Sequence, residues 1–274
     1  MGKIIDTHVH IGNMINFVMT EEMVLYSIDK YGIDFSLISN IEAAEFDHQG
    51  NPVPKELQQS QNDLLKQTIC VARRHPEKLG VLVWLKLSSE QPDDEFEDIL
   101  KNNLDIIYGF KLHPFHSKVA PDDKRLEPYY ALAEKYSLSV VSHTGGCEEA
   151  MSVHLYNAAK LHPNINFVMV HMDLGTDNKQ ALSYLGLMPN LYGDTTWVPV
   201  STTLEAVKRF GSNKVLFGSD NPIDGRDTYL HNKTGDRSLY QEYFNEFKDS
   251  VSKEDYDNIM YKNAQRLFGI KLLT

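Results

Sequence analysis

Short apolar runs alternate with helical patterns along almost the whole chain. Eight runs are rich in apolar and β-branched residues, and most are apolar almost continuously rather than at every second position. This pattern is typical of strands that are covered on both faces, as in a parallel sheet between helices. The predicted strands are Lys3–Val9, Phe35–Asn40, Gly80–Leu85, Ile106–Leu112, Ser139–Ser142, Asn166–Val170, Asn190–Gly193 and Lys214–Gly218.

The segments between and after the strands have helical spacing. Arg125–Tyr136 and Glu254–Leu267 each place apolar residues on one helical face. Eight β/α units without a break in composition predict one α/β domain over residues 1–274, a (β/α)8 TIM barrel. An open, doubly wound sheet is the alternative, but the first strand lacks the Gly-rich phosphate turn of a dinucleotide-binding sheet.

Two connecting segments are longer than ordinary loops. Glu42–Glu56 follows the second predicted strand, and Asn221–Arg237 follows the eighth. In a barrel, both segments leave the carboxyl ends of strands, where active sites lie. We therefore expect both to cover the mouth of a substrate pocket.

Composition narrows the class of partner. The formal net charge is -11, which argues against non-specific binding to nucleic acid or to an anionic membrane surface. The sequence contains no apolar run of about 18 residues, as a transmembrane helix would need. Two cysteines are too few for a disulfide framework, so a reduced, cytoplasmic protein is the default expectation. The expected partner is a small-molecule substrate, and a homodimer is an open alternative to a monomer.

The first strand carries the first candidate for chemistry. It ends in Ile4-Ile5-Asp6-Thr7-His8-Val9-His10. Because side chains alternate across a strand, His8 and His10 lie on the same face. Two imidazoles at the carboxyl end of a strand form half of a metal site.

Later predicted strands also end in ligand-type side chains. The strand ends carry Lys111 and His113 (fourth), His143 (fifth), His171 (sixth) and Asp220 (eighth). A barrel gathers these ends on one rim, where they suit a divalent metal such as zinc. Burying so many imidazoles without a metal would require many hydrogen bonds, so the set as a whole favours a metal centre.

These motifs resemble the amidohydrolase superfamily. The resemblance is to the amidohydrolase-2 branch, which holds hydrolases and decarboxylases related to aminocarboxymuconate semialdehyde decarboxylase. It rests on the first-strand His-x-His, the histidines of the fifth and sixth strands, and Asp220 after Gly-Ser. The closing Asn-Ala-x-Arg-Leu-Phe of Asn263–Phe268 also matches, so the resemblance spans nearly the whole chain.

The resemblance implies one divalent metal per chain. Zinc is the first expectation, with manganese or iron as alternatives, and the implied ligands are His8, His10, His143 and Asp220. Bound metal would activate water, with Asp220 as general base and then acid, and His171 beside the water. The leading interpretation is a metal-dependent hydrolase of an amide, ester or lactone. A metal-dependent, non-oxidative decarboxylase of an aromatic or unsaturated acid is close behind, because both use the same ligands. A non-catalytic barrel is a third alternative, against which the intact ligand set counts.

The remaining rim residues suggest how a substrate is held. Lys111 and His113 are candidates to bind a substrate carboxylate. Trp197 and Thr196 are candidates to line the pocket, and Arg226 is a candidate to hold an anion. Binuclear amidohydrolases have a carboxylated fourth-strand lysine that bridges two ions. Here Gly-Phe-Lys-Leu-His-Pro resembles the mononuclear branch, so we expect Lys111 to be unmodified and cationic. Asp6, two residues before His8, is either a residue that orients a metal ligand or a simple strand-start residue, and the second interpretation is favoured.

Overall fold

A computed structural model describes residues 3–14, 17–222 and 239–272 as one α/β barrel. Eight parallel strands form the barrel, and one short antiparallel strand, β2, is added beside the first. The strands are β1 Ile5–Met14, β2 Phe17–Met19, β3 Phe35–Asn40, β4 Leu79–Trp84, β5 Ile107–Leu112, β6 Ser139–Gly145, β7 Phe167–Leu174, β8 Leu191–Asp194 and β9 Val215–Leu216.

Helices follow the strands and cover the outside of the sheet. The helices are α1 Glu21–Tyr31, α2 Gln61–Arg74, α3 Asp94–Lys101, α4 Pro114–Ser117, α5 Glu127–Tyr136, α6 Ser152–Leu161, α7 Lys179–Leu185, α8 Val200–Phe210, α9 Leu239–Glu242, α10 Glu246–Ser250, α11 Lys253–Asp257 and α12 Asn263–Phe268. None of the helices in the described ranges is long and apolar enough to cross a membrane.

Backbone hydrogen bonds between the first and last strands close the barrel. The Thr7 N–H donates to the Phe217 carbonyl at 3.0 Å, and the Asp220 N–H donates to the His8 carbonyl at 2.9 Å. The His10 N–H in turn donates to the Asn221 carbonyl at 2.8 Å. Closure therefore joins β1 to the segment that follows β9 and places Asp220 beside His8.

The core has two layers because side chains alternate across each strand. Ile38 and Val140 belong to the large apolar cluster that includes the covering helices. Their neighbours Leu37 and Val141 belong to a smaller cluster with Leu267 and other residues of the closing helix. The nearly continuous apolar character of the predicted strands is explained by burial on both faces.

The predicted barrel is confirmed, with two local differences. The first strand runs on to Met14 and pairs with β2, a hairpin that the sequence analysis did not predict. Gly12 lies within β1 at φ +102°, where a Cβ would lie 2.3 Å from Asn40 Oδ1. The predicted helix Glu254–Leu267 is α11, a π-helical turn over Asn258–Lys262, and α12. A 3.6-residue periodicity does not reveal one extra residue in a turn.

The loop Glu42–Glu56 packs beside the mouth of the barrel. The N–H groups of Glu45 and Phe46 both donate to the His116 carbonyl, each at 3.0 Å. Phe46 also forms an isolated bridge with Pro52. Of the other long segment, Asn221 and Pro222 are described, and the rest lies outside the described residues.

Candidate metal centre

Three predicted ligands converge at the carboxyl end of the barrel. His8 Nε2 lies 2.9 Å from His10 Nε2 and 3.4 Å from Asp220 Oδ1, and His10 Nε2 lies 3.0 Å from the same oxygen. All three side chains are buried, and they form the group of described residues that can hold a metal ion. Metal–ligand bonds of about 2.0–2.2 Å place neighbouring ligand atoms roughly 3.0–3.4 Å apart. The spacing therefore fits a divalent cation.

The hydrogen bonds behind the two imidazoles leave their Nε2 atoms as acceptors. His8 Nδ1 lies 3.2 Å from the Thr196 hydroxyl, and His10 Nδ1 lies 3.0 Å from the Ser39 hydroxyl. The Ser39 hydroxyl has the Val9 carbonyl as an acceptor at 3.3 Å, so it can accept from His10. Two Nε2 lone pairs and a carboxylate oxygen that converge in this way are a donor set typical of a divalent cation. The donor set fits a metal.

Burial keeps these imidazoles neutral. The pKa of His8 is well below its usual value, mainly because of desolvation and also because of nearby Lys111. Desolvation likewise lowers the pKa of His10, although Asp220 opposes the shift. Neutral imidazole is the form that binds a metal. The site is therefore ready to accept a cation without first losing protons from its histidines.

Lys111 is completely buried beside the ligands, rather than on the pocket wall. Its Nζ lies 2.9 Å from His8 Nε2, at the end of β5. Desolvation lowers the pKa of Lys111 to about 8, while Asp220 and Asp194 favour the ammonium form. An ammonium has only donors, so it donates to His8 Nε2. The predicted substrate-binding role of Lys111 stays a prediction.

His171 extends from β7 on a strained backbone. His171, Met172 and Asp173 have φ of +68°, +47° and +69°, in the left-handed region that non-glycine residues rarely adopt. The His171 Nδ1–H donates to the Thr196 carbonyl at 3.1 Å, which leaves its Nε2 as an acceptor. Burial lowers the pKa of His171 to about 4. Strain of this kind is often found at functional sites.

His143 lies near the three ligands but outside their converging group. Its ring packs edge-on against His171 at 4.7 Å and stacks on His113 at 4.1 Å. The His143 Nε2–H donates to the Gly145 carbonyl at 3.2 Å. Desolvation holds the pKa of His143 well below its usual value. Its predicted role as a fourth ligand stays a prediction.

His113, the other predicted substrate-binding residue of this region, is part of a stack of flat rings. Trp84 packs on one face of its ring at 4.9 Å and His143 on the other at 4.1 Å. The His116 ring lies 4.4 Å away, and its Nδ1–H donates to the Phe46 carbonyl at 2.6 Å. Desolvation lowers the pKa of His116 to about 4 and that of His113 well below normal. This wall is therefore aromatic and uncharged.

A pocket of about 310 Å³ opens above the ligands. Its wall combines flat aromatic rings with neutral imidazoles, over a floor that contains His10 and Asp220. The lining residues are His10, Phe17, Ile41, Trp84, His113, Phe115, His116, His143, Gly146, His171, Leu174, Trp197 and Asp220. Such a chamber suits a small planar molecule.

Three predicted residues belong to the outer rim. Thr196 was predicted to line the pocket, but it is fully buried behind His8 and is not among the lining residues. Trp197 lies on the pocket wall with 41% of its surface exposed, and its ring packs edge-on against His171 at 6.3 Å. Arg226 lies outside the described residues, so its predicted anion contact stays a prediction.

The interpretation of Asp6 as a simple strand-start residue was wrong. Asp6 is fully buried and accepts hydrogen bonds from the N–H and hydroxyl of Ser219 and from the His8 N–H. Desolvation raises its pKa to about 7. Asp6 therefore fastens the segment before Asp220 to β1. The signal was available in part, because an aspartate inside an apolar strand needs a partner.

The sequence analysis missed other residues that support or line the centre. Asp194, at the end of β8, is fully buried and accepts from the His171 N–H and from the Thr196 N–H and hydroxyl. Phe17 and Trp84, which line the pocket, were also missed. The pairing of Asp194 with Thr196 had a local signal, an acid two residues before a threonine at a strand end. No local sequence signal indicated that Phe17 and Trp84 line the pocket.

Comparisons with solved structures agree with this architecture. A 2,6-dihydroxybenzoate decarboxylase complexed with 2,6-dihydroxybenzoate has a TM-score of 0.68 at 14% identity, covering 98% of this chain and 100% of its own. A 5-carboxyvanillate decarboxylase from Sphingomonas paucimobilis has 0.70 at 11% identity, covering 99% and 100%. A dihydroxybenzoic acid decarboxylase from Polaromonas, with bound manganese and the inhibitor 2-nitroresorcinol, has 0.68 at 14% identity, covering 98% and 97%.

A comparison with curated proteins finds no match. A comparison with family models does find a match. The model described as Amidohydrolase matches residues 5–270, which include all strands of the barrel. The resemblance that the motifs suggested is thereby confirmed at the level of the family. The chain belongs to the amidohydrolase family, in its amidohydrolase-2 branch.

Proposed function

We propose that this protein is a metal-dependent, non-oxidative decarboxylase of a small aromatic or unsaturated carboxylic acid. The observation that carries the proposal is the placement of His8, His10 and Asp220 beneath a pocket walled by flat rings. Three similar structures, all decarboxylases by name, support the same choice, and one of them contains manganese. The proposal therefore prefers the decarboxylase to the hydrolase, which was the leading interpretation of the sequence motifs.

The chemistry requires few protein groups. In a non-oxidative decarboxylation the bond to the carboxylate carbon breaks, its electron pair stays on the ring carbon, CO2 leaves and one proton takes its place. A bound divalent cation supplies positive charge that orients the acid and stabilises negative charge developing during the reaction. The protein must then position the planar substrate, exclude water and deliver the proton.

The described residues suit these tasks. Trp84 and His113, whose rings stack on each other, line the pocket and offer aromatic contacts to a planar substrate. Asp220 reaches both the ligand group and the pocket, so we assign it the transfer of the proton to the ring carbon. His171 Nε2 is left as an acceptor by the bond from Nδ1 to Thr196, so it can accept from a substrate hydroxyl. Lys111 adds positive charge behind His8 and favours an anionic substrate.

The test is an activity screen of the protein stripped of metal and reloaded with Mn²⁺ or Zn²⁺. Hydroxylated benzoates, an unsaturated acid, and a set of lactones, esters and amides are incubated in D2O. The proposal expects CO2 release from an acid, with one deuterium at the carbon that lost the carboxylate, and loss of activity after chelation.

The opposite outcome is equally clear. Hydrolysis of a lactone, ester or amide without CO2 release from any acid would replace the decarboxylase with the hydrolase. The Asp220→Asn variant serves as the control for activity from a contaminating enzyme, because it retains the pocket but lacks the proposed proton donor.

A further inference from the structure

Thr196 holds one of the proposed metal ligands from behind. Its hydroxyl lies 2.6 Å from Asp194 Oδ2 and 3.2 Å from His8 Nδ1. His8 Nδ1 itself is 3.6 Å from the Asp194 oxygen, which is too long for a direct hydrogen bond. The carboxylate is therefore linked to His8 by hydrogen bonds through the threonine hydroxyl.

A hydroxyl has one proton, and the arrangement decides where it goes. The Asp194 carboxylate can only accept, so Thr196 donates its proton to Asp194 and must accept from the Nδ1–H of His8. On the opposite side of the ring, the Lys111 ammonium donates to His8 Nε2 at 2.9 Å. Two independent contacts thus require the same tautomer, in which Nδ1 has the proton and Nε2 has the lone pair.

The hydrogen-bonded relay of Asp194, Thr196 and His8 is tightly packed. All side-chain atoms of Thr196 and Asp194 are buried. A Cβ added to Gly218 would lie 2.5 Å from Thr196 Oγ1, 2.7 Å from Asp194 Oδ2 and 3.1 Å from His8 Cβ. The absence of a side chain at Gly218 is therefore what allows these three groups to meet.

We propose that Thr196 is a positioning residue, which with Asp194 fixes the tautomer and ring orientation of His8 for metal binding. The inference rests on the metal binding proposed above but not on the identity of the reaction. Partners of this kind behind metal ligands typically contribute about 10- to 100-fold to metal affinity. The same threonine also accepts from His171 Nδ1, but through its backbone carbonyl, which a side-chain substitution retains.

The test measures Mn²⁺ affinity, rather than activity, of the metal-stripped full chain. Thr196→Val keeps the shape and removes the hydroxyl, whereas Thr196→Ser keeps the hydroxyl. Free Mn²⁺ is followed by its EPR signal during titration. The inference expects Kd to rise about 10-fold or more for the valine variant and to stay within about threefold for the serine variant.

Thr203→Val is the matched control. Thr203 is equally buried, and its hydroxyl bonds the Tyr243 hydroxyl at 2.7 Å, away from the ligands. The Thr203→Val variant loses a comparable hydrogen bond, so its thermal stability is expected to fall as that of Thr196→Val does. Its Mn²⁺ affinity should equal that of the wild type.

A second variant and a second measurement test the inference even if Thr196→Val does not fold. Gly218→Ala displaces the relay without removing any of its groups, and it should also bind Mn²⁺ more weakly. In metal-free protein, ¹⁵N NMR should show a proton on Nδ1 of His8, with the resonance assigned by its loss in His8→Gln.

Three results would overturn the inference. They are an unchanged Kd in folded Thr196→Val, an unchanged Kd in Gly218→Ala should the first variant not fold, and an Nε2–H tautomer of His8. Each of these leaves the proposed function standing if the wild type binds Mn²⁺. A wild type that binds neither Mn²⁺ nor Zn²⁺ would overturn both.

Discussion

The imidazoles on the two sides of the pocket are held by different kinds of contact. At the ligand end, hydrogen bonds from Nδ1 to the hydroxyls of Thr196 and Ser39 orient His8 and His10, and the two Nε2 atoms face Asp220. On the aromatic wall, His113 is held by stacking between two rings, and its Nδ1 is buried without a hydrogen-bond partner among the described residues.

The difference shows which side is built for directional contacts. Hydrogen bonds at the ligand end fix tautomer and ring orientation, so small displacements there should cost metal affinity. Stacking fixes only the plane of a ring, so the aromatic wall should tolerate replacement by another flat ring. The predictions below test this contrast, from the largest expected effect to the smallest.

Asp220→Asn should have the largest effect. It removes an anionic ligand and the proposed proton donor, so turnover should fall by about 10²-fold or more, with weaker Mn²⁺ binding. Turnover and metal content after dialysis provide the measurement. Asp257→Asn, a buried carboxylate that pairs with Lys253, is the matched control. Near-normal turnover in Asp220→Asn would assign proton transfer to another group.

Lys111→Met should separate substrate binding from metal binding. Loss of the buried positive charge behind His8 should raise KM for an acid by roughly 10-fold, because Lys111 attracts an anionic substrate through the charge and not through a direct contact. Metal affinity should instead increase, because the ammonium 2.9 Å from His8 Nε2 repels a cation. A fall from two metals per chain to one would reveal a carboxylated, bridging Lys111. Lys86→Met, which removes another buried lysine, should change neither constant.

Metal removal should reduce stability measurably. A ligand that binds only the folded state at about 100 times its Kd stabilises it by roughly 2.7 kcal/mol. Chelation should therefore lower the Tm, and Mn²⁺ should restore it, with a Tm that rises with the logarithm of the Mn²⁺ concentration above Kd. The Asp220→Asn variant should show little response. An identical Tm with and without metal in the wild type would contradict the metal centre.

His113→Phe should have the smallest effect. The substitution retains the stacked ring and removes an unpartnered nitrogen, so the free energy of unfolding should change by less than about 1 kcal/mol. His113→Ala is the contrasting variant, since loss of the ring from a packed wall should cost about 3 kcal/mol. Urea unfolding measures both. A large loss in the phenylalanine variant would reveal a hidden partner of His113.

Much of the fold was predictable because local patterns carry it. Continuous apolar runs such as Asn166–Val170 predicted strands covered on both faces, and β7 begins at Phe167. The hairpin strand β2 was not predicted, since three residues carry too little pattern to distinguish a strand from a loop.

The sequence by itself determined the barrel and indicated three side chains that converge at its rim. His8 and His10 share a face because side chains in a strand alternate, and Asp220 joins them because parallel strands end on one rim. These are consequences of backbone geometry, which a sequence reveals whatever the details of packing.

Only the tertiary structure decided the surroundings of those ligands. The contact of Thr196 with His8 joins residues 188 positions apart, and that of Lys111 with His8 joins residues 103 apart. Contacts of this kind depend on the stagger of neighbouring strands and on close approaches such as that of Gly218. A shift of one residue in register would turn each side chain to the other face of its strand. Side-chain hydrogen bonds across a closed barrel therefore follow from packing, not from local pattern.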